Sequence, residues 1–392
     1  MSNFNSITVV VGDYPASGHM MMVFVQQLVH AIIDQGVRVS VIAPQSLVHA
    51  LMHGEKILPR HTVAMTESGR KYEVFRPYTL SFGNVKPLRW LSGWCSTHVI
   101  VSKLKRIDSN VLYAHFWSNA LPIYEYARTH HKLMFVACGE GDDALEEMIR
   151  NISPRRIDRL SKAVTGVVSV SSENKRKCVK YGLAEEMNIE VIPNCVNTDI
   201  FHKMNATNTK VKLGISENDF VISFVGGFIP RKGPDRIAQA IRMLNDPHIK
   251  VMFIGKPFPG YAYDFDCPGI IFKGPLDHAL IPQYVNCSDV FVMPTQKEGC
   301  CNAVVEALAM GVPVISSNRP FNEDILVDGK NSILVNPDDV EAIADAIRTL
   351  RDNSELRKSM SEYSLSRHEG YSIVGRAKRI LSFIERKIEK LK

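Results

Sequence analysis

The sequence predicts an α/β protein built from two doubly wound domains, and three observations lead there. Short β-branched runs alternate with segments of helical apolar spacing. The alternation stops at Pro193-Asn194 and a polar stretch, then begins again. The chain has 392 residues, the length of two ordinary domains.

Ile7–Val11 is a β-branched run and reads as a buried strand. Val23–Gln35 follows at helical spacing, with Phe24, Leu28, Ile32 and Val25, Val29, Ile33 on its apolar side, and Gly36 ends it. Val37–Ala43 is the next strand. A strand–helix–strand order calls for a parallel sheet with a right-handed crossover. Val111–His115, Leu133–Cys138, Gly166–Ser171 and Ile189–Ile192 continue the strand series. After the polar segment 202–210, Val221–Gly226, Val251–Gly255, Ile270–Phe272, Val290–Met293 and Val314–Ser316 read as a second series. The boundary falls near 195–212, giving domains of 1–200 and 201–371. Residues 372–392 form one amphipathic basic helix, expected to cross back onto the first domain.

Hydrophobic residues make up 45% and charged residues 22%, a globular balance with core material for both halves. A net charge of +6 suits anionic ligands such as nucleotide phosphates or lipid head groups. It is too weak to argue for nucleic acid, and no nucleic-acid motif is present. The eight cysteines show no zinc-type spacing and read as small buried side chains in a reducing cytoplasm. The N-terminus lacks a basic, then apolar, leader, and no run of about 18 apolar residues exists. The expectation is a cytoplasmic protein, peripheral at most at the inner face of the membrane.

The strongest chemical signal is Pro294-Thr-Gln-Lys-Glu298-Gly-Cys-Cys-Asn302-Ala-Val-Val-Glu306. A strand ends at Met293, a loop carries Glu298, and a helix starts near Asn302. Ligands of open α/β sheets bind at the carboxyl ends of strands. A helix N-terminus offers free N–H groups and a partial positive charge to a phosphate. Carboxylates on either side of that cradle can accept hydrogen bonds from sugar hydroxyls. Taken singly, Glu298 reads as a loop residue and Glu306 as a helix-surface carboxylate; the constellation points to a site. The second signal is Gly226-Gly227-Phe-Ile-Pro230-Arg231-Lys232-Gly233-Pro234, after the first strand of the second series. Its glycines permit tight turns, and Arg231 with Lys232 beside a helix start can clamp a diphosphate.

These segments resemble the donor-binding half of retaining glycosyltransferases of the GT-B type, glycosyltransferase family four. The family's E-x(7)-E element matches Glu298 and Glu306. Its Gly-rich turn ending in Lys-Gly matches Gly226 to Gly233. Its Val-Ile-Pro-Asn-Gly-Val-Asp hinge matches Val191 to Asn197, and its N-terminal glycine loop matches Tyr14 to Gly18. The resemblance covers nearly the whole chain and is tighter in the second half. It implies two Rossmann-like domains facing a cleft. It implies that Glu306 holds the ribose hydroxyls, Glu298 the donor sugar, and Lys232 with Arg231 the diphosphate. Gly18, Gly227, Gly299, Cys301, Asn302 and Ala303 would bring backbone to the donor, and the Phe272-Lys273 turn would sit near the base. Three departures stand out. Gly227 occupies a position where the family often has Arg, so Arg231 is expected to substitute. Cys195 and Asn197 replace the hinge Gly and Asp. Cys300-Cys301 replaces a Phe-Gly pair.

In the first domain, His115 ends a strand, and the resemblance sets it near the donor sugar among the catalytic residues with Glu298 and Lys232; a structural core histidine fits equally. Glu140 and Asp142 follow the next strand and are acceptor-site candidates, although Asp142 also suits a helix N-cap. Lys86 to Trp94, with Lys103 to Arg106, interleave basic residues and tryptophans. That pattern fits a membrane interface or a helix pair burying its tryptophans.

The resemblance implies transfer of a sugar, hexosyltransferase-like and with retention, from a UDP- or GDP-sugar to a glycan or lipid-linked hydroxyl acceptor in bacterial polysaccharide or glycolipid assembly. The leaving group is an anion, and Lys232, Arg231 and the helix N-terminus would stabilise it. No metal-binding cluster is evident, so no metal or other cofactor is expected. The alternatives are a sugar-nucleotide epimerase or hydrolase of the same fold, and a non-catalytic sugar-nucleotide-binding assembly protein.

Overall fold

The computed structural model describes residues 4–16, 21–80, 89–139, 142–258 and 265–391. They form two compact units: Met1–Ile192 with Arg376–Lys392, and Pro193–Gly375.

In the first unit the strands are β1 (Ser6–Val10), β2 (Arg38–Ile42), β3 (Gln45–Ser46), β4 (His61–Met65), β5 (Lys71–Phe75), β6 (Tyr78–Thr79), β7 (Val111–His115), β8 (Leu133–Cys138), β9 (Val164–Ser169) and β10 (Ile189–Val191). Eight of them make one sheet in the order β10-β9-β8-β7-β1-β2-β5-β4, while β3 pairs with β6. Every neighbouring pair in the large sheet is parallel except β4 with β5. The central strands are β-branched because both faces are covered. Helix Val23–Asp34 buries Val25, Leu28, Val29, Ile32 and Ile33. Val10, Ile42 and Phe75 share a cluster with Ile100 and Leu104 of helix Arg89–Leu104. The C-terminal helix Ile373–Glu389 packs on this unit, as expected: Phe383 meets Phe135 edge-on at 5.9 Å, and Arg379 donates to the Val191 carbonyl at 2.9 Å.

The second unit holds β11 (Phe220–Val225), β12 (Ile249–Ile254), β13 (Ile270–Gly274), β14 (Val290–Met293), β15 (Val314–Ser317) and β16 (Ser332–Val335), all parallel, in the order β13-β12-β11-β14-β15-β16. The chain starts at the centre of the sheet, builds outward through β12 and β13, then returns past β11 to build the other half. β11 and β14 therefore flank the point where the strand order reverses, the place at the carboxyl edge where open α/β sheets bind ligands. Both donor motifs of the sequence lie on the loops that follow these two strands.

The strand series was legible where burial demands apolar runs. It missed β3, β4, β5, β6 and β16. β4 is an edge strand with residues alternately exposed and half-buried, so His61–Met65 carries no continuous apolar stretch.

Candidate active site

The crevice of the second unit is built from two loops bonded to each other. After β11 the chain makes one tight turn, Pro230–Lys232, and Gly233 leaves it at φ +75° to start helix Pro234–Leu244. Gln296, on the loop after β14, donates its amide to the Arg231 carbonyl at 2.9 Å. Arg236, buried in the helix, clips the loops together. Its Nη1 donates to the Pro230 carbonyl at 2.9 Å and its Nη2 to the Pro294 carbonyl at 2.7 Å. Gly226 gives the turn its room: a Cβ there would stand 3.1 Å from Lys232 Cδ. The lysine chain thus lies across bare backbone.

The clip brings charge together. Glu298 Oε1 lies 3.0 Å from Lys232 Nζ and 3.1 Å from Arg231 Nη1. The Thr295 hydroxyl adds a contact at 3.5 Å. The Lys232 and Glu298 side chains are only 19% and 16% exposed, so water screens the pair weakly. Burial acts against the Lys232 ammonium, but Cys301 and Glu298 outweigh it and hold its pKa above the usual lysine value.

Helix Asn302–Ala309 begins after Cys301 and buries Val304, Val305, Ala307, Leu308 and Ala309. Glu306 sits on it at 14% exposure, with His278 Nε2 4.0 Å away. Burial pushes its pKa up to about 8, with Lys232 pulling the other way. The helix start is anchored by Asn194, whose Nδ2 donates to Asn302 Oδ1 at 2.8 Å and the Cys300 carbonyl at 3.2 Å. An uncapped helix N-terminus, a buried ammonium and two carboxylates thus surround one crevice. That set can take a diphosphate at its positive groups and hydroxyls at its carboxylates.

Of the residues expected at the site, the structure brings together Arg231, Lys232, Glu298, Cys301 and Glu306. Gly227 lies in the same turn, while Gly299, Asn302 and Ala303 belong to the loop and helix start. Phe272 and Lys273 stand on edge strand β13, two strands from β11. There Phe272 packs on Tyr284 at 5.1 Å, and Lys273 Nζ lies 4.3 Å from the Phe265 ring centroid. Gly18, Glu140 and Lys86 lie outside the described residues, as does the side chain of Asp142, which begins helix Asp142–Arg150. Sequence reasoning missed Arg236, Asn194 and His278. Only Asn194 carried a signal, as part of the hinge motif.

His115 ends β7 in the first unit and is buried against Phe24 and Phe116, with ring centroids 5.6 and 4.5 Å away. Burial, with Arg376 acting in the same direction, pushes its pKa down to about 3. It is therefore neutral near pH 7 and unsuited to carrying a proton charge there. Its Nδ1 makes no hydrogen bond among the described residues. Trp90 and Trp94, 71% and 62% exposed, lie near the start of helix Arg89–Leu104, so they do not pack inward. Lys103 lies at the other end, about 20 Å away along the axis, with its Nζ 3.6 Å from the Phe75 ring centroid. The structure sets Lys103 apart from the tryptophans, while Arg89 directly precedes Trp90 on the helix.

Comparisons with known proteins agree with this geometry. Residues 205–367 match the family model described as glycosyl transferases group 1, and residues 21–200 match glycosyltransferase family 4. Over 219 residues the chain is 27% identical to a capsular polysaccharide biosynthesis glycosyltransferase, CapM, of Staphylococcus aureus, covering 52% of this chain and 57% of that one. It is 27% identical over 231 residues to the UDP-Gal:alpha-D-GlcNAc-diphosphoundecaprenol alpha-1,3-galactosyltransferase of Escherichia coli, covering 56% and 60%. These matches span less than two thirds of either relative's length. Anabaena HepE, solved with UDP, superposes with a TM-score of 0.73 at 13% identity over 97% of this chain and 100% of that one, a likeness of fold.

Proposed function

This chain belongs to glycosyltransferase family 4, and we propose that it transfers a sugar from a nucleoside-diphosphate sugar to a hydroxyl acceptor, with retention, in bacterial polysaccharide or glycolipid assembly. The observation that carries the reading is the buried Lys232–Glu298 pair beside Glu306 at the switch point of the second unit. Lys232 and Arg231 would meet the diphosphate, together with the amides at the start of helix Asn302–Ala309. Their positive charge falls where negative charge develops as the sugar–phosphate bond breaks. Glu306 would hold ribose hydroxyls and Glu298 the sugar. Glu298 is held by Lys232 and Arg231 rather than free to act as a covalent nucleophile, so the acceptor attacks on the face the diphosphate leaves. The departing phosphate takes the hydroxyl proton.

Relatives support the substrate classes. The E. coli enzyme's name specifies a UDP-sugar donor and a diphosphate-linked lipid acceptor. The positive charge is supplied by side chains, so transfer is expected to proceed without a resident metal and to survive chelation by EDTA. The test is incubation with UDP- and GDP-sugars and a bacterial glycolipid fraction, with products read by mass spectrometry. A product heavier by one sugar unit supports transfer. Donor hydrolysis or epimerisation alone contradicts it.

A further inference from the structure

In the first unit lies a cavity of about 470 Å³, lined by segments that follow β1, β2 and β7, by Thr79 of β6, by Ser96 and Ile100 of helix Arg89–Leu104 and by Arg76 just after β5. Gln45, Ser118 and Asn119 line it, with Gln45 bonded to the backbone of Lys56 and Leu58 and Asn119 Nδ2 to the His115 carbonyl; Asp13, His49, Glu55 and Arg76 add titratable groups. Arg76 is only 3% exposed. Its Nη1 donates to Thr62 Oγ1 at 2.9 Å and its Nη2 to the Pro15 carbonyl at 3.0 Å. Its Nε is buried without a hydrogen-bond partner among the described residues, and the guanidinium forms no ion pair among them. Of the cavity's acids, Asp13 accepts the Tyr14 amide at 2.7 Å, and Glu55 lies 3.3 Å from His49. Burial pulls the Arg76 pKa below the usual guanidinium value, and the field of Asp13 offsets this only in part.

The two bonds Arg76 makes tie the loop after β1 to β4. A neutral amide could make them. The charge is what they leave unexplained, because a buried cation is ordinarily matched by an anion. A guanidinium that lines a polar cavity and carries no anion among the described residues matches a phosphate carried on a hydroxylated molecule.

We infer that the first unit binds its acceptor through a phosphate or diphosphate group seated on Arg76, with the exposed Ser118 on the rim facing the acceptor's hydroxyls. The inference rests on the glycosyltransferase reading for calling that ligand the acceptor. It gives the protein two anion sites, one per unit: the donor's at Lys232 and the acceptor's at Arg76.

The experiment is calorimetric titration of the Lys232→Ala chain, which lacks the donor's principal cation, with inorganic pyrophosphate, farnesyl diphosphate and glucose. Pyrophosphate should bind saturably. Its affinity should fall about tenfold or more on adding Arg76→Gln and be largely kept with Arg76→Lys. Ser118→Asp, at an exposed position on the cavity rim, places a carboxylate there without touching Arg76 and should weaken binding comparably. It keeps the test valid where Arg76→Gln does not fold. Farnesyl diphosphate binding more tightly than pyrophosphate assigns a lipid-linked source, and equal affinity assigns a soluble sugar phosphate. Absence of saturable pyrophosphate binding in the Lys232→Ala chain, or binding indifferent to both Arg76→Gln and Ser118→Asp, overturns the inference. That failure, with donor turnover intact in the parent chain, removes the acceptor assignment alone. Failure of turnover with Arg76-dependent binding intact removes the glycosyltransferase reading instead.

Discussion

Two anions compete for Lys232. Its ammonium is paired with Glu298 at 3.0 Å, and the diphosphate of the proposed donor would claim the same group. Glu298→Gln removes one competitor. Nucleoside-diphosphate binding to that variant should be as tight as to the parent or tighter by calorimetry, while sugar transfer falls by about a hundredfold. Lys232→Ala should weaken both. Near-normal transfer in either variant contradicts the roles assigned. Glu306 supplies a pH signature. Burial holds its pKa at about 8, so the folded chain keeps a proton that the unfolded chain has already released. Stability therefore falls as pH rises from the ordinary glutamate range towards 8. Ribose hydroxyls favour the carboxylate form, so nucleotide binding near pH 7 should release a proton. Calorimetry in buffers of different ionisation enthalpy should detect it, and Glu306→Gln should abolish it. The spacing of Glu298 and Glu306 was legible because a loop residue and one two helical turns later flank a helix start. Arg236 was not, because an arginine bonded to carbonyls looks in sequence like any solvated one.

Among the elements, the turn Pro230–Lys232 depends most on a single backbone conformation. Gly233 has φ +75°, and a Cβ there would lie 2.5 Å from Arg236 Nη2. Gly329 shares that geometry, φ +72°, but a Cβ there meets nothing within 4 Å. Gly329→Ala should therefore cost about 1 kcal/mol, from backbone strain alone. Gly233→Ala should cost about 1–3 kcal/mol more by displacing the arginine that clips the two loops. Urea midpoints of the two variants test the difference, and equal midpoints would show that Arg236 yields freely. The parallel strands were legible because burial on both faces forces β-branched runs, as in Val9–Val41 and Val292–Ile315. Edge strand β4 was not, because its side chains answer to solvent.

The whole molecule divides its charged chemistry between two units of similar construction, each starting its sheet in the middle and crossing back. The chain leaves the first unit at Ile192 and returns to it at Arg376. The C-terminal helix could be read from sequence as amphipathic and basic. The contacts of Phe383 and Lys387 with the first unit are tertiary and carry no local signal. Among the described residues no helix is long and apolar enough to cross a membrane. Trp90 and Trp94 are among the exposed apolar side chains of the first unit that a membrane contact could use. Sedimentation with anionic liposomes at low salt should then fall on Trp90→Ala/Trp94→Ala, and no sedimentation of the parent chain removes that contact.

Titration of UDP, GDP and ADP into the parent chain and into Lys232→Ala tests the central claim most directly. At least one nucleoside diphosphate should bind the parent saturably and lose about tenfold or more in affinity for the variant. Binding of none of the three, or equal binding by both chains, would contradict it.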